Sequence, residues 1–330
     1  MADYDCVMLD LDGVVYVGAQ AVEGVPSVLE RVRKRGVTLA FVTNNASRSP
    51  EAVAGHLAEL GIPAAGADVI TSAQAAATEI ARQVPTGSRV LVIGGEALAE
   101  EVRGKGMVPV RSATQSPKAV VQGFHADIGW RDLAECAYAV STGLPWVASN
   151  LDLTLPTERG TAPGNGSLVA AVSAAAGRGP SAVAGKPYRP LFDEAVERTG
   201  CQHPLMVGDR LDTDIQGANR CGAESLLVMT GVTSVGAVCT APPEQRPTFV
   251  GWTTRALEQV HQVPAGTRHG ANLGGWHAYV DEDGQLTADG AGESRDDLLR
   301  ALVTAAWEWA DTNPGADLRL DRLDASAIRG

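Results

Sequence analysis

The chain has 330 residues, 45% of them hydrophobic and 20% charged, an ordinary globular composition with room for about two domains. Its formal net charge of -12 argues against nucleic acid or an anionic membrane surface as a partner, since both need a basic footprint. No run of about 18 apolar residues occurs, and the chain enters a strand without the pattern of a signal peptide, so a soluble cytoplasmic protein is expected.

The first predicted element is the apolar strand Cys6-Val7-Met8-Leu9, which ends abruptly in Asp10-Leu11-Asp12-Gly13. Two aspartates with one residue between them can share a divalent cation, and the glycine lets the chain turn away sharply. An oxygen-only cluster suits magnesium better than zinc. Asp-x-Asp-Gly also opens calcium loops, but those continue with acids or amides, and here Val14, Val15 and Tyr16 follow.

A helix over 25–35, stopped by Gly36, leads to the strand 37–42 and its tip Thr43-Asn44-Asn45. A hydroxyl and two amides at a strand tip can bind an anion, although the same residues are also ordinary turn formers. Helices are predicted over 50–60 and 71–81, and the turn Pro85-Thr86-Gly87-Ser88 marks a boundary. A second α/β pattern follows, with strands 89–93, 118–122 and 145–148 and helices over 96–105, 130–142 and 166–176. The chain's five scattered cysteines, Cys6, Cys136, Cys201, Cys221 and Cys239, show no Cys-x-x-Cys spacing and indicate neither a zinc site nor a disulfide framework.

The short strand 182–184 ends in Gly185-Lys186-Pro187, which confines the lysine at a strand tip. After a helix over 190–199, the strand 204–208 ends in Asp209, with Asp212 and Asp214 in the turn beyond. Acids there also suit a helix start, and for Asp212 that capping or surface role is the expected one. Strands 225–229 and 247–250 complete a doubly wound sheet interrupted by the second domain. Four polar tips, at Asp10 and Asp12, at Thr43 to Asn45, at Lys186 and at Asp209, are therefore expected along the C-terminal edge of one sheet, where open α/β folds keep their ligands. Carboxylates hold a cation while lysine, threonine and amides hold an anion, which together describe a phosphate site. Asp10 could attack phosphorus as a carboxylate nucleophile, and Asp12 could protonate the leaving alkoxide and later take a proton from water. Magnesium and Lys186 would then neutralise the phosphoryl oxygens.

The ordered set Asp10-Leu11-Asp12-Gly13-Val14, Thr43-Asn44-Asn45, Lys186 and Gly208 to Asp214 resembles the four motifs of the haloacid-dehalogenase-like superfamily. The domain inserted between Thr43 and Lys186 resembles the C2-type cap of the NagD-like phosphatases. The resemblance implies a Rossmann-like catalytic core over 1–82 and 182–262, an α/β cap over 83–181, and a small α/β appendage over 263–330 outside the family pattern. It implies Asp10 as nucleophile and magnesium ligand, and Asp12 as acid and base, ligating through its main-chain carbonyl. Thr43, Asn44 and Asn45 would bind the phosphoryl group, Lys186 would hold phosphate and Asp10, and Asp209 would complete the Mg2+ site with Asp214 behind it or in its place. The stretch 150–152 matches a family turn near the active site. Asp12 argues against a dehalogenase, which needs no acid or base there. The implied activity is hydrolysis of a small phosphorylated metabolite, with glycerol 3-phosphate first, 2-phosphoglycolate second, and sugar phosphates or nucleoside monophosphates as alternatives. A non-catalytic sensor of a phosphorylated metabolite, or a protein whose C-terminal segment recruits a partner, is the alternative of a different class, and the presence of both Asp10 and Asp12 argues against it.

In the appendage, Trp276 to Val280, the turn Asp281-Glu282-Asp283-Gly284 and Gln285 to Thr287 predict a hairpin. Ser294 caps a helix with Leu298, Leu299, Leu302, Val303, Ala306 and Trp307 on one face. From residue 265 onward there are 12 acids and 6 arginines, a net of -6, half the formal charge of the chain. The apolar stripe predicts docking onto the core, with assembly of a homo-oligomer through this segment or the cap as the alternative. His277 reads as structural.

Overall fold

The computed structural model describes residues 4–157, 159–267 and 270–321. The ends of the predicted core and appendage at 1–3 and 322–330, and positions 158, 268 and 269, lie outside the described residues. The chain forms two compact units, Met1–Leu39 with Cys201–Gly330, and Ala40–Gly200.

In the first unit the strand Cys6–Leu9 pairs in parallel with Pro204–Gly208, in the register Cys6 to Pro204 through Leu9 to Val207. Glu224–Val228 and then Phe249–Gly251 extend the parallel set. Every residue of Cys6–Leu9 is buried, the signature of a parallel strand covered on both faces. The helix Val25–Lys34 follows Gly24, carries proline in its first turn, and buries Val25, Val28, Leu29 and Val32, one stripe at helical spacing.

The C-terminal segment belongs to this same unit. The predicted hairpin is present: Trp276–Val280 pairs antiparallel with Leu286–Gly290. Its turn is built by the Asp281 carboxylate, which accepts from the N–H groups of Asp283 and Gln285, while Gly284 takes a φ of 77°. Two strands that sequence reading left out, Ala265–Thr267 and Gly270–Leu273, complete a four-stranded antiparallel sheet. The helix Arg295–Thr312 is capped by Ser294, whose hydroxyl accepts from Asp297 N–H at 3.2 Å. Its Leu298, Leu299, Leu302, Val303 and Ala306 share one core with Leu211, Ile215, Leu227, Val235, Val238 and Val250 of the parallel-sheet layer. Trp307 Nε1 donates to the Val238 carbonyl at 2.8 Å, and Arg246 holds Asp311 at 2.8 Å beside the Trp307 ring. The appendage therefore docks within its own chain.

In the second unit Thr38–Thr43, whose first two residues precede the unit boundary, pairs in parallel with Val69–Thr71. A separate five-stranded parallel sheet has the order Ala182–Val183, Trp146–Ala148, Ala119–Gln122, Arg89–Ile93, Val108–Val110. The helices Glu96–Gly104, Trp130–Ser141 and Asn165–Ala176 accompany it, close to their predicted bounds. Ser72–Gln83 and Arg189–Thr199 pack in this unit too: buried Glu194 holds Arg198 at 3.1 Å and Thr78 Oγ1 at 2.8 Å, with Lys105 at 3.8 Å.

Contrary to the expectation that one sheet edge carries Asp10, Asp209 and Lys186, the strand before Lys186, Ala182–Val183, is hydrogen-bonded to Trp146–Ala148. A two-residue strand carries no local record of its partner, because pairing is decided by which edge the chain reaches. Among the described residues no helix is long and apolar enough to cross a membrane.

Candidate active site

In the first unit the strand Cys6–Leu9 runs directly into Asp10, whose N–H continues the ladder to the Val207 carbonyl at 2.9 Å. The chain then folds back at once: Val15 and Tyr16 N–H donate to the Leu11 carbonyl, and Gly13 N–H donates to Tyr16 at 2.8 Å. This tight return leaves Asp12 exposed two residues beyond Asp10. Gly13 has a φ of 85°, and a β-carbon there would lie 2.6 Å from Asp209 Oδ2. Positive φ and close approach both require glycine at this position.

The neighbouring strand Pro204–Gly208 delivers Asp209, which is 1% exposed. The wide turn Leu211–Ile215 then brings Asp214 back over Gly208, where a β-carbon would fall 2.2 Å from that of Asp214. Arg210 N–H donates to Asp214 Oδ2 at 3.1 Å. Asp212 faces outward to Arg210 at 2.9 Å, the surface role expected of it. Burial works against its charged form, yet the hydrogen bonds and charge of Arg210 hold its carboxyl below the usual range.

A third strand tip contributes residues that sequence reading missed. Beyond Glu224–Val228, Val232 N–H donates to Asp209 Oδ2 at 2.7 Å, Thr233 Oγ1 donates to the Asp209 carbonyl at 2.6 Å, and Thr230 Oγ1 donates to the Gly13 carbonyl at 2.6 Å. The signal was available: an apolar strand ending in Thr230-Gly231 has the same form as the tip at Thr43.

Asp10, Asp209 and Asp214 each present a carboxylate oxygen, all within 4.8 Å of one another. Carboxylates packed this closely, two of them buried, repel one another wherever they are ionised, and a cation among them relieves that repulsion. Hard oxygen donors match Mg2+, so the donor set fits that ion. The side chain of Asp12 is not one of this group.

The second unit holds the other predicted residues. Thr43 ends its strand buried, and its hydroxyl accepts from Asn45 N–H at 3.1 Å, so its own hydrogen can be donated elsewhere. Asn45 makes a local turn, its Oδ1 accepting from Ser47 N–H and Oγ at 2.8 and 2.7 Å. Lys186 is 3% exposed, with Nζ donating to the Val42 carbonyl at 3.2 Å. Asn44 Oδ1 accepts from Lys186 N–H at 2.7 Å, while Nδ2 donates to the Lys186 carbonyl at 3.1 Å and to Asp152 Oδ2 at 3.2 Å. Both amide hydrogens of Asn44 are thus committed, which leaves none for a phosphoryl oxygen.

Comparison with known proteins agrees with this chemistry. A haloacid dehalogenase-like hydrolase family model matches residues 7–108, and a HAD-hydrolase-like model matches residues 183–255. The chain is 48% identical over 315 residues to a D-glycerol 3-phosphate phosphatase of Mycobacterium tuberculosis, covering 93% of this chain and 86% of that protein. That match extends past residue 262 into the appendage. It is 35% identical over 235 residues to a 5′-nucleotidase of Bacillus subtilis, covering 71% and 90% of the two chains. Among solved structures, a glycerol phosphate phosphatase from Mycobacterium tuberculosis in complex with magnesium superposes with a TM-score of 0.84 at 47% identity, over 93% of this chain and 91% of that one.

Proposed function

Because the chain belongs to the haloacid dehalogenase-like hydrolase family, we propose that it is a phosphatase of a small polyol phosphate, glycerol 3-phosphate first, acting through an aspartyl phosphate on Asp10. The observation that carries the reading is the group of Asp10, Asp209 and Asp214 oxygens within 4.8 Å, with a second, exposed carboxylate at Asp12. A Mg2+ ion would be held by Asp10, the Asp12 carbonyl and Asp209, with Asp214 behind them or in place of one of them, and would supply positive charge against the phosphoryl oxygens.

The residues divide the work by chemistry. Asp10 attacks phosphorus in line, forming the P–O bond of the aspartyl phosphate as the ester P–O bond breaks. Asp12 gives its proton to the departing alkoxide, then accepts one from the water that releases inorganic phosphate. Thr43 and Lys186 serve the phosphoryl group as donors in this reading, Thr43 through its hydroxyl and Lys186 through its ammonium. The segment 83–181 is the inserted cap and selects the leaving group, while Ala271 to Leu320 supply side chains to the first unit's core. The five free thiols suit the reducing cytoplasm.

The substrate assignment rests on the relative named for D-glycerol 3-phosphate, whose match spans most of both chains. The relative named as a 5′-nucleotidase supports nucleoside monophosphates as the second reading. Purified protein and its Asp10→Asn variant, with and without Mg2+, decide between them on a panel of glycerol 3-phosphate, 2-phosphoglycolate, sugar phosphates and nucleotides. Magnesium-dependent phosphate release by the unmodified protein alone, fastest on glycerol 3-phosphate, is the expected result. Faster release from a nucleotide would replace the substrate. Retained ligand binding with no release from any compound would leave a sensor.

A further inference from the structure

Asn44 is tied at both of its ends. Its main-chain carbonyl accepts from Asn150 Nδ2 at 2.7 Å and from Ser72 Oγ at 2.6 Å, which uses both lone pairs. Its side chain meets the Lys186 peptide at two points, accepting from the N–H at 2.7 Å and donating to the carbonyl at 3.1 Å, as a paired strand would. The other amide hydrogen points at the Asp152 carboxylate, 3.2 Å from Oδ2 and 3.4 Å from Oδ1. These neighbours settle the amide's orientation, because turning it over would set oxygen against the Lys186 carbonyl and the Asp152 carboxylate.

The surroundings are shaped to admit this arrangement. A β-carbon on Gly185 would lie 2.6 Å from Asn44 Oδ1 and 2.7 Å from the Ser149 carbonyl, so only glycine lets the amide reach the next residue. Asn150 in turn accepts from Asp152 N–H at 3.1 Å through Oδ1, and its carbonyl accepts from Asn165 Nδ2 at 2.8 Å. The relay therefore runs from the helix Asn165–Ala176 through Asn150 and Asn44 to Lys186.

We propose that Asn44 is a positioning residue, whose carboxamide locks the Lys186 main chain and the Asp152 carboxylate into one geometry without touching substrate. The inference rests on the phosphatase reading, in which Lys186 holds the phosphoryl group. A lysine has four rotatable bonds, so a fixed main chain and a buried stem determine where its ammonium can stand. Asparagine is required at 44 because the site faces one donor and two acceptors. Aspartate there would set carboxylate against carboxylate.

A double-mutant cycle tests this with Asn44→Asp, Asp152→Asn and the combined variant, each measured for kcat and KM on glycerol 3-phosphate and for its unfolding midpoint. Asn44→Asp is expected to lower kcat about 100-fold, the scale of an ångström-sized misplacement of a catalytic group. The combined variant restores a donor facing an acceptor between the two positions, and is expected to recover about tenfold or more of that loss. A direct phosphate contact by Asn44 predicts no recovery, since negative charge at 44 repels the phosphoryl group whatever stands at 152. A combined variant no faster than Asn44→Asp overturns the proposal, and so do kcat losses that merely follow the unfolding midpoints. Should the unmodified protein release no phosphate from any ester, the phosphatase reading fails by itself. The same cycle read as the Kd of inorganic phosphate then decides the coupling: non-additive values support it and additive values overturn it.

Discussion

Asp209 and Gly231 meet with no room for one carbon between them: a β-carbon on Gly231 would lie 1.9 Å from Asp209 Oδ2 and 2.4 Å from its Cγ. The carboxylate is held in that slot by Val232 N–H on the same oxygen at 2.7 Å. Gly231→Ala should therefore push Asp209 out of register with Asp10 and Asp214 while leaving the chain folded. Loss of a partner that orients a metal ligand costs about 10- to 100-fold in metal affinity. Titrating phosphate release against Mg2+ should show an activation midpoint raised by that factor, and an unchanged midpoint would mean that Asp209 is not a metal ligand.

Asp12 is assigned the proton transfers, and leaving groups separate its two duties. A nitrophenolate leaves without a proton, whereas the alkoxide of a polyol needs one. With Asp12→Asn, 4-nitrophenyl phosphate should give a burst of one equivalent of nitrophenol followed by slow turnover, and glycerol 3-phosphate should give no burst. General acid catalysis contributes about 10²- to 10⁴-fold, which sets the size of the loss on the polyol ester. Equal slowing of both substrates without a burst would assign the acid to another group.

The appendage shares its core with the parallel-sheet layer, and Leu299 lies in that shared core at 1% exposure. Leu299→Ala should cost about 2–5 kcal/mol, the usual range for an alanine-sized cavity in a core. Urea unfolding followed by tryptophan fluorescence, with Trp130 and Trp146 of the second unit replaced by phenylalanine so that Trp252, Trp276, Trp307 and Trp309 report, should shift as one transition. A separate early transition would show the appendage to be an independent unit.

His261 lies against the Phe249 ring, centroids 4.6 Å apart, with Nε2 at 2.8 Å from the Ala256 carbonyl. Burial holds its imidazole below the usual 6.5, outweighing the opposing effect of the Ala256 hydrogen bond. The folded state therefore binds this proton less readily than the unfolded chain. Its contribution is fully present above the unfolded pKa and is lost as the pH falls through and below that value. Between about pH 7.5 and pH 5 the unmodified protein should lose more stability than His261→Gln, measured as the difference in urea midpoints. Parallel curves would show that His261 does not titrate differently on folding.

Legibility followed locality. Asp10 and Asp209 stand out because each ends an apolar run, and a strand that stops in acid announces its tip. Asp214 was harder to place, since only the wide turn Leu211–Ile215 returns it to Asp10 and Asp209. Thr230 and Gly231 went unread although their strand was predicted, because nothing nearby says that the following loop wraps Asp209. Asn44 reads in the sequence as a phosphoryl-binding residue at a strand tip. Its type suits an anion, but the structure commits both amide hydrogens to Lys186 and Asp152.

By itself, then, the sequence determined the alternation of strands and helices, the acids and their spacing, and the amphipathic stripe that needed a core to cover it. These are consequences of hydrophobic period and turn chemistry, which act over a few residues. Tertiary structure alone decided that Ala182–Val183 joins Trp146–Ala148, that Arg295–Thr312 closes over Val235 and Val250, and that three glycines make space for two carboxylates. Each of these is a choice of partner across a long stretch of chain. It is settled by packing and by the satisfaction of buried polar groups, which no local pattern records.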